Sequence, residues 1–149
     1  MNNNAFEIEY RQELKIQAAY KAAEEANDAA GMEEARAAVH ALWDSINAKG
    51  AAYVRIARDY KDARDKENEL LDFNNVIWDK DAAALVECMR ENGIERFTFS
   101  SGWSSAVETA WLFLQNGCKL EGMIQINGEK NWFGSGEFEQ KPAYLFSVC

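Results

Sequence analysis

The stretch ERFTFSSGWSSAVETAWLFLQNGCKLEGMIQI, residues 95–126, changes its apolar periodicity twice. Phe97 and Phe99 occupy alternate positions, which is typical of a strand with one buried face. The next segment repeats apolar residues every three or four positions and stops at Asn116–Gly117, a common end for a helix. Residues 119–126 then return to strand-forming types. The stretch predicts strand, helix and strand, with the two strands parallel after a right-handed crossover.

The helix in this stretch is predicted to begin at Ser105. Ser105 and Glu108 have the spacing of a capping box, in which the Ser105 side chain accepts from the Glu108 amide and the Glu108 carboxylate accepts from the Ser105 amide. An amphipathic helix beginning there has one apolar stripe, which we expect to face the sheet. That stripe consists of Val107, Ala110, Trp111 and Leu114.

A second helix and a third strand flank the stretch. The preceding helix is expected to end at Gly93, in the left-handed conformation, with Ile94 folded back on Met89. Its buried face should carry Ala82, Leu85, Val86 and Met89. AYLFSVC, residues 143–149, is apolar on both faces and is therefore predicted to lie between the two parallel strands. The expected module is α-β-α-β-β with a three-stranded mixed sheet.

The first half of the chain is rich in Ala, Glu, Lys and Arg and contains no proline. We predict a long antiparallel, coiled-coil-like αα-hairpin, with helices over about 5–28 and 32–66 and a turn at Gly31. Gly50 falls on the apolar seam of the second helix, where it would let a partner backbone approach closely. The fold class is predicted as α+β. The two parts are residues 1–68, the helical hairpin, and 69–149, the small α/β module, packed as one unit.

Composition limits the classes of function. The 149 residues carry 25 Asp and Glu against 16 Lys and Arg, a net charge of −9. Such a chain repels phosphates, so no direct nucleic-acid binding is expected, although an acidic protein can occupy a partner's nucleic-acid channel. Three widely spaced cysteines and the absence of a long apolar run predict a cytoplasmic protein without a membrane span.

The turn SSGWSS, residues 100–105, resembles both a nucleophile elbow and a phosphate loop in outline. An elbow hydrolase needs a histidine after its serine, and the single histidine is His40. One histidine and three scattered cysteines also give no metal cluster. The sequence therefore predicts a protein that is not an enzyme and has no metal or cofactor.

Binding residues remain to be predicted. Ser101 and Ser104 could hold an anion at the helix start, although no cation lies nearby and serines there are usually caps. Trp103 is in the same turn, outside the buried stripe. Trp132 and Phe133 are in a glycine-bearing segment that forms either a recognition loop or a hairpin turning at Asn127–Gly128. The last candidates cluster at the bend of the helical hairpin: Glu24, Glu25, Asp28, Glu33 and Glu34.

Two segments carry a family resemblance. LLDFNNVIWDKDAAALVECMRENGIERFTFSS, residues 70–101, and NGCKLEGMIQIN, residues 116–127, resemble small uncharacterised proteins of gut Firmicutes and of their phages and plasmids. The resemblance covers residues 70–148 and implies no catalytic residue. Small acidic proteins of mobile elements include inhibitors of CRISPR nucleases. The resemblance therefore implies a non-enzymatic anti-CRISPR inhibitor that binds a Cas nuclease and blocks its nucleic-acid loading.

Two other functions stay open. One is a small-ligand or nucleotide-binding module that uses the serine turn. The other is a structural homo-oligomer that associates through the helical seams, which a bulky residue at Gly50 would disrupt.

Overall fold

Five helices and four strands make up the part of the chain that the computed structural model describes, residues 3–103 and 105–149. Three helices come first, and strands then alternate with helices before a final hairpin. The predicted α+β class is confirmed. The elements are α1 (Ala5–Glu25), α2 (Ala29–Asn47), α3 (Ala51–Asp65), β1 (Leu71–Phe73), α4 (Asp79–Glu91), β2 (Arg96–Phe99), α5 (Ala106–Gln115), β3 (Lys119–Lys130) and β4 (Phe138–Ser147).

The four strands form one mixed sheet in the order β1-β2-β4-β3. β4 is antiparallel to both β2 and β3, so these two strands are parallel to each other. The predicted central position of the last strand is therefore confirmed. The predicted count of three strands is wrong, because β1 also joins the sheet, parallel to β2. β1 is three residues long with Asp72 at its centre, so no apolar run marks it in the sequence.

One face of the sheet forms the core. Phe97 and Phe99 are buried on this face, as expected from their alternation, and α4 buries its predicted stripe in the same core. The end of α4 also follows the prediction. Gly93 has φ +87°, and the amide of Ile94 donates to the carbonyl of Met89 at 3.0 Å. This bond closes α4 and directs the chain into β2.

The helical half differs from the prediction at both bends. α1 ends at Glu25, Asn27 takes a left-handed conformation, and the Asp28 side chain caps α2, so Gly31 lies inside α2 rather than at the turn. The predicted helix over 32–66 is broken into α2 and α3. Gly50 has φ +101° and precedes the first residue of α3. The apolar positions keep their spacing of three and four residues across this break, so the sequence pattern does not indicate it.

The break at Gly50 turns the predicted seam inward. Leu42 and Ile46 of α2 and Tyr53 and Tyr60 of α3 are buried in one core cluster with the sheet. No close backbone approach occurs at Gly50, where a Cβ atom would meet nothing within 4 Å. Ile46, Tyr53 and Tyr60 of the predicted seam are thus packed within the chain, and Gly50 is needed for its backbone conformation rather than for close packing.

A buried carboxylate joins α1 to α3. Glu7 is 1% exposed, and its Oε1 accepts from the Tyr60 hydroxyl at 2.8 Å and from Arg64 Nε at 2.7 Å. Burial alone would raise the pKa of Glu7, but the bonds from Arg64 and Tyr60 outweigh it and hold the pKa below its usual value. Arg11 donates to the other carboxylate oxygen at 3.0 Å. The charge on Glu7 is therefore compensated within the fold.

Replacing Arg64 with Ala should lower the free energy of unfolding by about 3 kcal/mol, because it leaves the Glu7 carboxylate buried without its strongest partner. Urea unfolding at pH 7 measures the change. Arg58→Ala, at an exposed position of the same helix, is the control and should stay within about 0.5 kcal/mol of the wild type. Equal stabilities of the two variants would show that the pair contributes nothing.

Gly50→Ala and Gly50→Leu should destabilise the protein equally, by about 1–3 kcal/mol, because the cost comes from the backbone conformation and not from side-chain size. Thermal unfolding measures the stability of each variant, and light scattering over a concentration series measures its mass. Gly102→Ala is the matched control, since Gly102 has open space around it and an ordinary φ. A much larger loss for Leu than for Ala would instead indicate the close packing that the sequence predicted.

Candidate protein-binding surface

The ring of Phe113 sets the rotation of α5 about its axis. Phe113 is fully buried, and its ring centroid lies 4.8 Å from Phe97 and 5.3 Å from Phe146. Phe73 and Phe99 contact it at 5.8 and 6.0 Å. Phe113 therefore touches three strands, and Thr109, one turn earlier, is buried on the same side of the helix.

The apolar side of α5 that was predicted to be buried faces outward. Val107 is 71% exposed and Trp111 is 58% exposed, while Leu114 is also exposed and Ala110 is half-buried. The predicted stripe is thus wrong. α5 is apolar on two sides, and the spacing of Thr109 and Phe113 fits a helix as well as the spacing of Val107, Trp111 and Leu114 does. The packing of α5 against the sheet determines which of its two apolar sides is buried.

The position of α5 explains why this side stays uncovered. α3 packs on α4, and α4 packs on α5, so α5 is the last helix of the layer. One of its flanks meets α4, and the other points past the end of the layer. We call the exposed surface on that side the aromatic flank. It consists of Trp103, Val107, Trp111 and Leu114.

The start of α5 also differs from the prediction. Ser105 is the N-cap residue, but its side chain makes no capping hydrogen bond, so the capping box with Glu108 is not formed. The amide of Ala106 instead donates to the carbonyl of Trp103 at 3.0 Å. Trp103 is 64% exposed, so it is a surface residue and not a cover for the core.

The aromatic flank continues onto β3. Leu120 pairs with Phe146 and Met123 pairs with Tyr144, so both side chains lie on the sheet face that Phe113 covers. β3 is the outermost strand on this side, and α5 makes few contacts with it. Leu120 and Met123 are consequently exposed beside the aromatic flank. Neither residue is recognisable as a surface group from the sequence, because a strand pattern does not indicate which part of the sheet a helix covers.

The serine turn is linked to a buried acid. Asp72 accepts from the Ser100 hydroxyl at 2.6 Å and from the Thr98 hydroxyl at 2.7 Å. Burial raises the pKa of Asp72, although both hydroxyls act against the increase. Ser101 Oγ accepts from the amide of Trp103, and Ser104 lies outside the described residues. A carboxylate beside the turn disfavours an anion there.

The predicted aromatic loop is the tip of the β3–β4 hairpin. The strands end at Lys130 and resume at Phe138, so the hairpin does not turn at Asn127–Gly128. Trp132 is 77% exposed and Phe133 is fully exposed. Lys130 Nζ lies 4.9 Å from the centre of the Trp132 ring, a cation–π contact. The recognition-loop interpretation fits this exposure better than the buried alternative.

The acidic candidates lie together at the bend between α1 and α2. Glu24, Glu25, Asp28, Glu33 and Glu34 are all exposed. Asp28 accepts from the amide of Gly31 at 3.0 Å, and Glu33 pairs with Arg36 at 3.4 Å. α1 starts in the core at Phe6 and rises about 30 Å over its 21 residues. The acidic bend is therefore well separated from the aromatic flank.

The predicted binding residues that the structure describes thus fall on three surfaces: the serine turn, the hairpin tip and the acidic bend. Within residues 3–103 and 105–149, no cluster of acidic, histidine and cysteine side chains could hold a metal ion. Burial raises the pKa of the Cys118 thiol to about 11, so Cys118 is a poor nucleophile at neutral pH. None of the helices in the same residues has the length and apolarity needed to cross a membrane.

Comparison with known proteins places most of these elements in one family. Residues 55–148 match the family described as "Domain of unknown function (DUF7698)". The chain belongs to this family. The matched region begins within α3 and includes the whole sheet, α4 and α5, and so contains the aromatic flank and the hairpin tip but not the acidic bend. No curated protein and no solved structure matches the chain significantly.

Asp72→Asn should not destabilise the protein at pH 7, since an amide can accept from Thr98 and donate to Ser100. Asp72→Ala leaves both hydroxyls without this partner and should cost about 1–3 kcal/mol. Because the pKa of Asp72 is raised on folding, the folded state binds more protons between pH 3.8 and the folded pKa. Wild-type stability therefore falls as pH rises through that window.

Urea unfolding from pH 7 to pH 4 tests the sign of this effect. The stability of Asp72→Asn relative to the wild type should be greatest at pH 7 and decline as the pH is lowered. A difference that stays constant or increases toward pH 4 would show that Asp72 has no raised pKa.

Proposed function

We propose that this chain is a non-enzymatic protein-binding module whose aromatic flank is the main contact surface. The observation that carries the proposal is the exposure of Val107 and Trp111 on one side of α5 and of Trp103 in the turn before it. Both tryptophans are exposed by more than half. Tryptophan is strongly enriched among residues that dominate binding energy at protein interfaces.

The size of the surface supports protein binding over small-ligand binding. The aromatic flank alone exposes several hundred Å² of apolar area, comparable with the largest patch on a typical monomer, which measures about 300–600 Å². Small ligands usually occupy concave pockets, whereas the residues of the flank are exposed by between a third and three quarters. Ser100 of the serine turn donates to the carboxylate of Asp72.

The net charge of the chain and the position of its acidic residues favour one kind of partner. The chain has a net charge of −9, and its acidic bend lies at the end of α1 and α2 beyond Ile16, the last residue of α1 that packs against the core. A partner with a basic rim around an apolar depression would bind the flank and be attracted by the bend at long range. An inhibitor of a nucleic-acid-binding enzyme fits this description, because such enzymes keep a basic channel.

The narrower proposal is that the partner is a Cas nuclease and that the acidic bend competes for its nucleic-acid channel. The resemblance of residues 70–148 to proteins of mobile elements and the acidity of Glu24, Glu25, Glu33 and Glu34 support it. The broader proposal of protein binding does not depend on this choice of partner.

A double variant, Trp103→Ala with Trp111→Ala, tests the broader proposal. Affinity purification of the tagged chain from its host, followed by titration of the purified partner, gives the dissociation constant. We expect the double variant to weaken binding by at least about 30-fold, corresponding to about 2 kcal/mol. Its melting temperature should stay close to the wild-type value, since both rings are exposed.

Gln17→Ala is the control for this titration. Gln17 is exposed on α1, whereas Gln115 on α5 lies one turn from Trp111, so replacing Gln17 should leave the affinity unchanged. Wild-type affinity in the double variant would overturn the proposal, because a partner whose affinity does not depend on either tryptophan binds another surface.

Charge reversal at the bend tests the role of acidity separately. Glu24→Lys with Glu25→Lys should slow association about tenfold or more at low salt and reduce its salt dependence, with dissociation nearly unchanged. In parallel, cleavage assays with several CRISPR nucleases test the narrower proposal. Undiminished cleavage at a large molar excess of the chain across all of them would contradict it while leaving the broader one intact.

A further inference from the structure

β3 has a free edge. Its inner edge pairs with β4, and among the described residues no strand pairs with its outer edge. An uncovered strand edge carries a row of unpaired amide and carbonyl groups and therefore attracts another strand. The exposed part of β3 also carries apolar side chains, namely Leu120, Met123 and Ile124.

One end of this edge is closed within the chain. The Asn127 amide donates to Asn68 Oδ1 at 2.9 Å, and Asn68 Nδ2 donates to the Asn127 carbonyl at 2.9 Å. The Asn68 side chain thus takes the place of a strand at Asn127. The remaining open edge is residues 119–126. A β-bulge between Leu120 and Gly122 interrupts it, so its regular part begins at Gly122.

The same two bonds fix which groups of the open edge point outward. Because the backbone groups of Asn127 point away from β4, those of Gln125 and Met123 do so as well, two and four residues earlier. Pro142 gives independent support. It is paired with Gln125 and has no amide hydrogen, which suits a pair without mutual hydrogen bonds. Met123 is near the middle of the open edge.

We infer that a second copy of this chain occupies the open edge, with the two β3 strands antiparallel about a two-fold axis at Met123. In this register the outward amide and carbonyl of Met123 bond to the same groups of the other copy. The two four-stranded sheets then join into one sheet of eight strands. The exposed methionine side chains meet on the face that the helices partly cover.

The charges of the open edge favour self-association. The protein as a whole is acidic, but residues 119–126 contain one lysine, Lys119, and one glutamate, Glu121, and are neutral overall. In the antiparallel register Glu121 faces Gln125 of the other copy and Lys119 lies near Asn127, so no like charges are opposed. This part of the edge is therefore the place where two acidic chains can approach closely.

The expected interface is small. An eight-residue strand with its side chains buries on the order of 500 Å² per copy, so that both copies together reach about 1,000 Å², the lower limit for a specific interface. The dimer should therefore dissociate on dilution into the micromolar range.

A covalent trap tests the register. Met123→Cys, in a chain that also carries Cys149→Ser to remove the exposed thiol, places two cysteines opposite each other. Their Cα atoms would be about 5.5 Å apart, which a disulfide can span. Oxidation with glutathione disulfide should give mostly covalent dimer on a non-reducing gel, each new S–S bond consuming two thiols and reducing one glutathione disulfide to two glutathiones.

Gln125→Cys in the same background is the control. Its two copies would be about 13 Å apart across the axis, too far for a disulfide. Equal crosslinking of both variants, or none at Met123→Cys, would overturn the proposed register and with it the proposal.

Light scattering and sedimentation test the dimer without crosslinks. The wild type should change from 16.9 kDa toward twice that mass as its concentration rises to several hundred micromolar. Met123→Lys opposes two charges at the axis and should remain monomeric with an unchanged circular-dichroism spectrum, whereas Met123→Leu should dimerise like the wild type. A wild type that stays monomeric throughout, or a Met123→Lys variant that dimerises equally well, would contradict the proposal. Loss of partner binding in the Trp103 and Trp111 variant does not bear on either result.

Discussion

The packing of Phe113 against the sheet is the contact on which the surface of this protein depends. Its ring meets phenylalanines from β1, β2 and β4, so α5 has one rotation that fills the core. A ten-residue helix cannot bury two apolar sides against one sheet. Once Phe113 and Thr109 face inward, Val107 and Trp111 must face outward. The exposure of the aromatic flank is therefore a consequence of core packing.

The order of the helices and strands then decides where the exposed apolar groups lie. α5 ends the helical layer, and β3 ends the sheet, on the same side of the molecule. The aromatic flank and the open edge of β3 consequently adjoin each other without being the same surface. Partner binding through α5 and self-pairing through β3 are compatible for this reason, since one uses side chains of a helix and the other uses backbone groups of a strand.

Local signals in the sequence predicted much of the sheet module. The alternation of Phe97 and Phe99, the left-handed Gly93 and the doubly apolar last strand each reflect chemistry within a few residues, and the structure agrees with all three. The predictions that were wrong concern features that depend on contacts between residues distant in the sequence. The rotation of α5 depends on the sheet, the break at Gly50 depends on how α3 packs, and β1 forms because Leu71 and Phe73 have a ready neighbour in β2.

The residues of the candidate site divide in the same way, into those that local sequence signals indicate and those whose exposure depends on distant contacts. Trp103, Trp132 and Phe133 were recognisable as unassigned aromatics in turns, and the acidic bend was recognisable from charge alone. Val107, Trp111 and Leu114 were assigned to the core because helical periodicity identifies an apolar stripe without saying which of two stripes is buried. Leu120 and Met123 became visible only when the sheet order showed β3 at its edge.

Oxidative footprinting of the free protein by hydroxyl radicals, read residue by residue by mass spectrometry, tests the central claim most directly. At a low micromolar concentration, Trp103 and Trp111 should be oxidised rapidly, while Trp43, half-buried between α1 and α2, should react more slowly and Phe113 should be protected. Rapid oxidation of Phe113 together with protection of Trp111 would contradict the account, because α5 would then present the opposite side to the sheet.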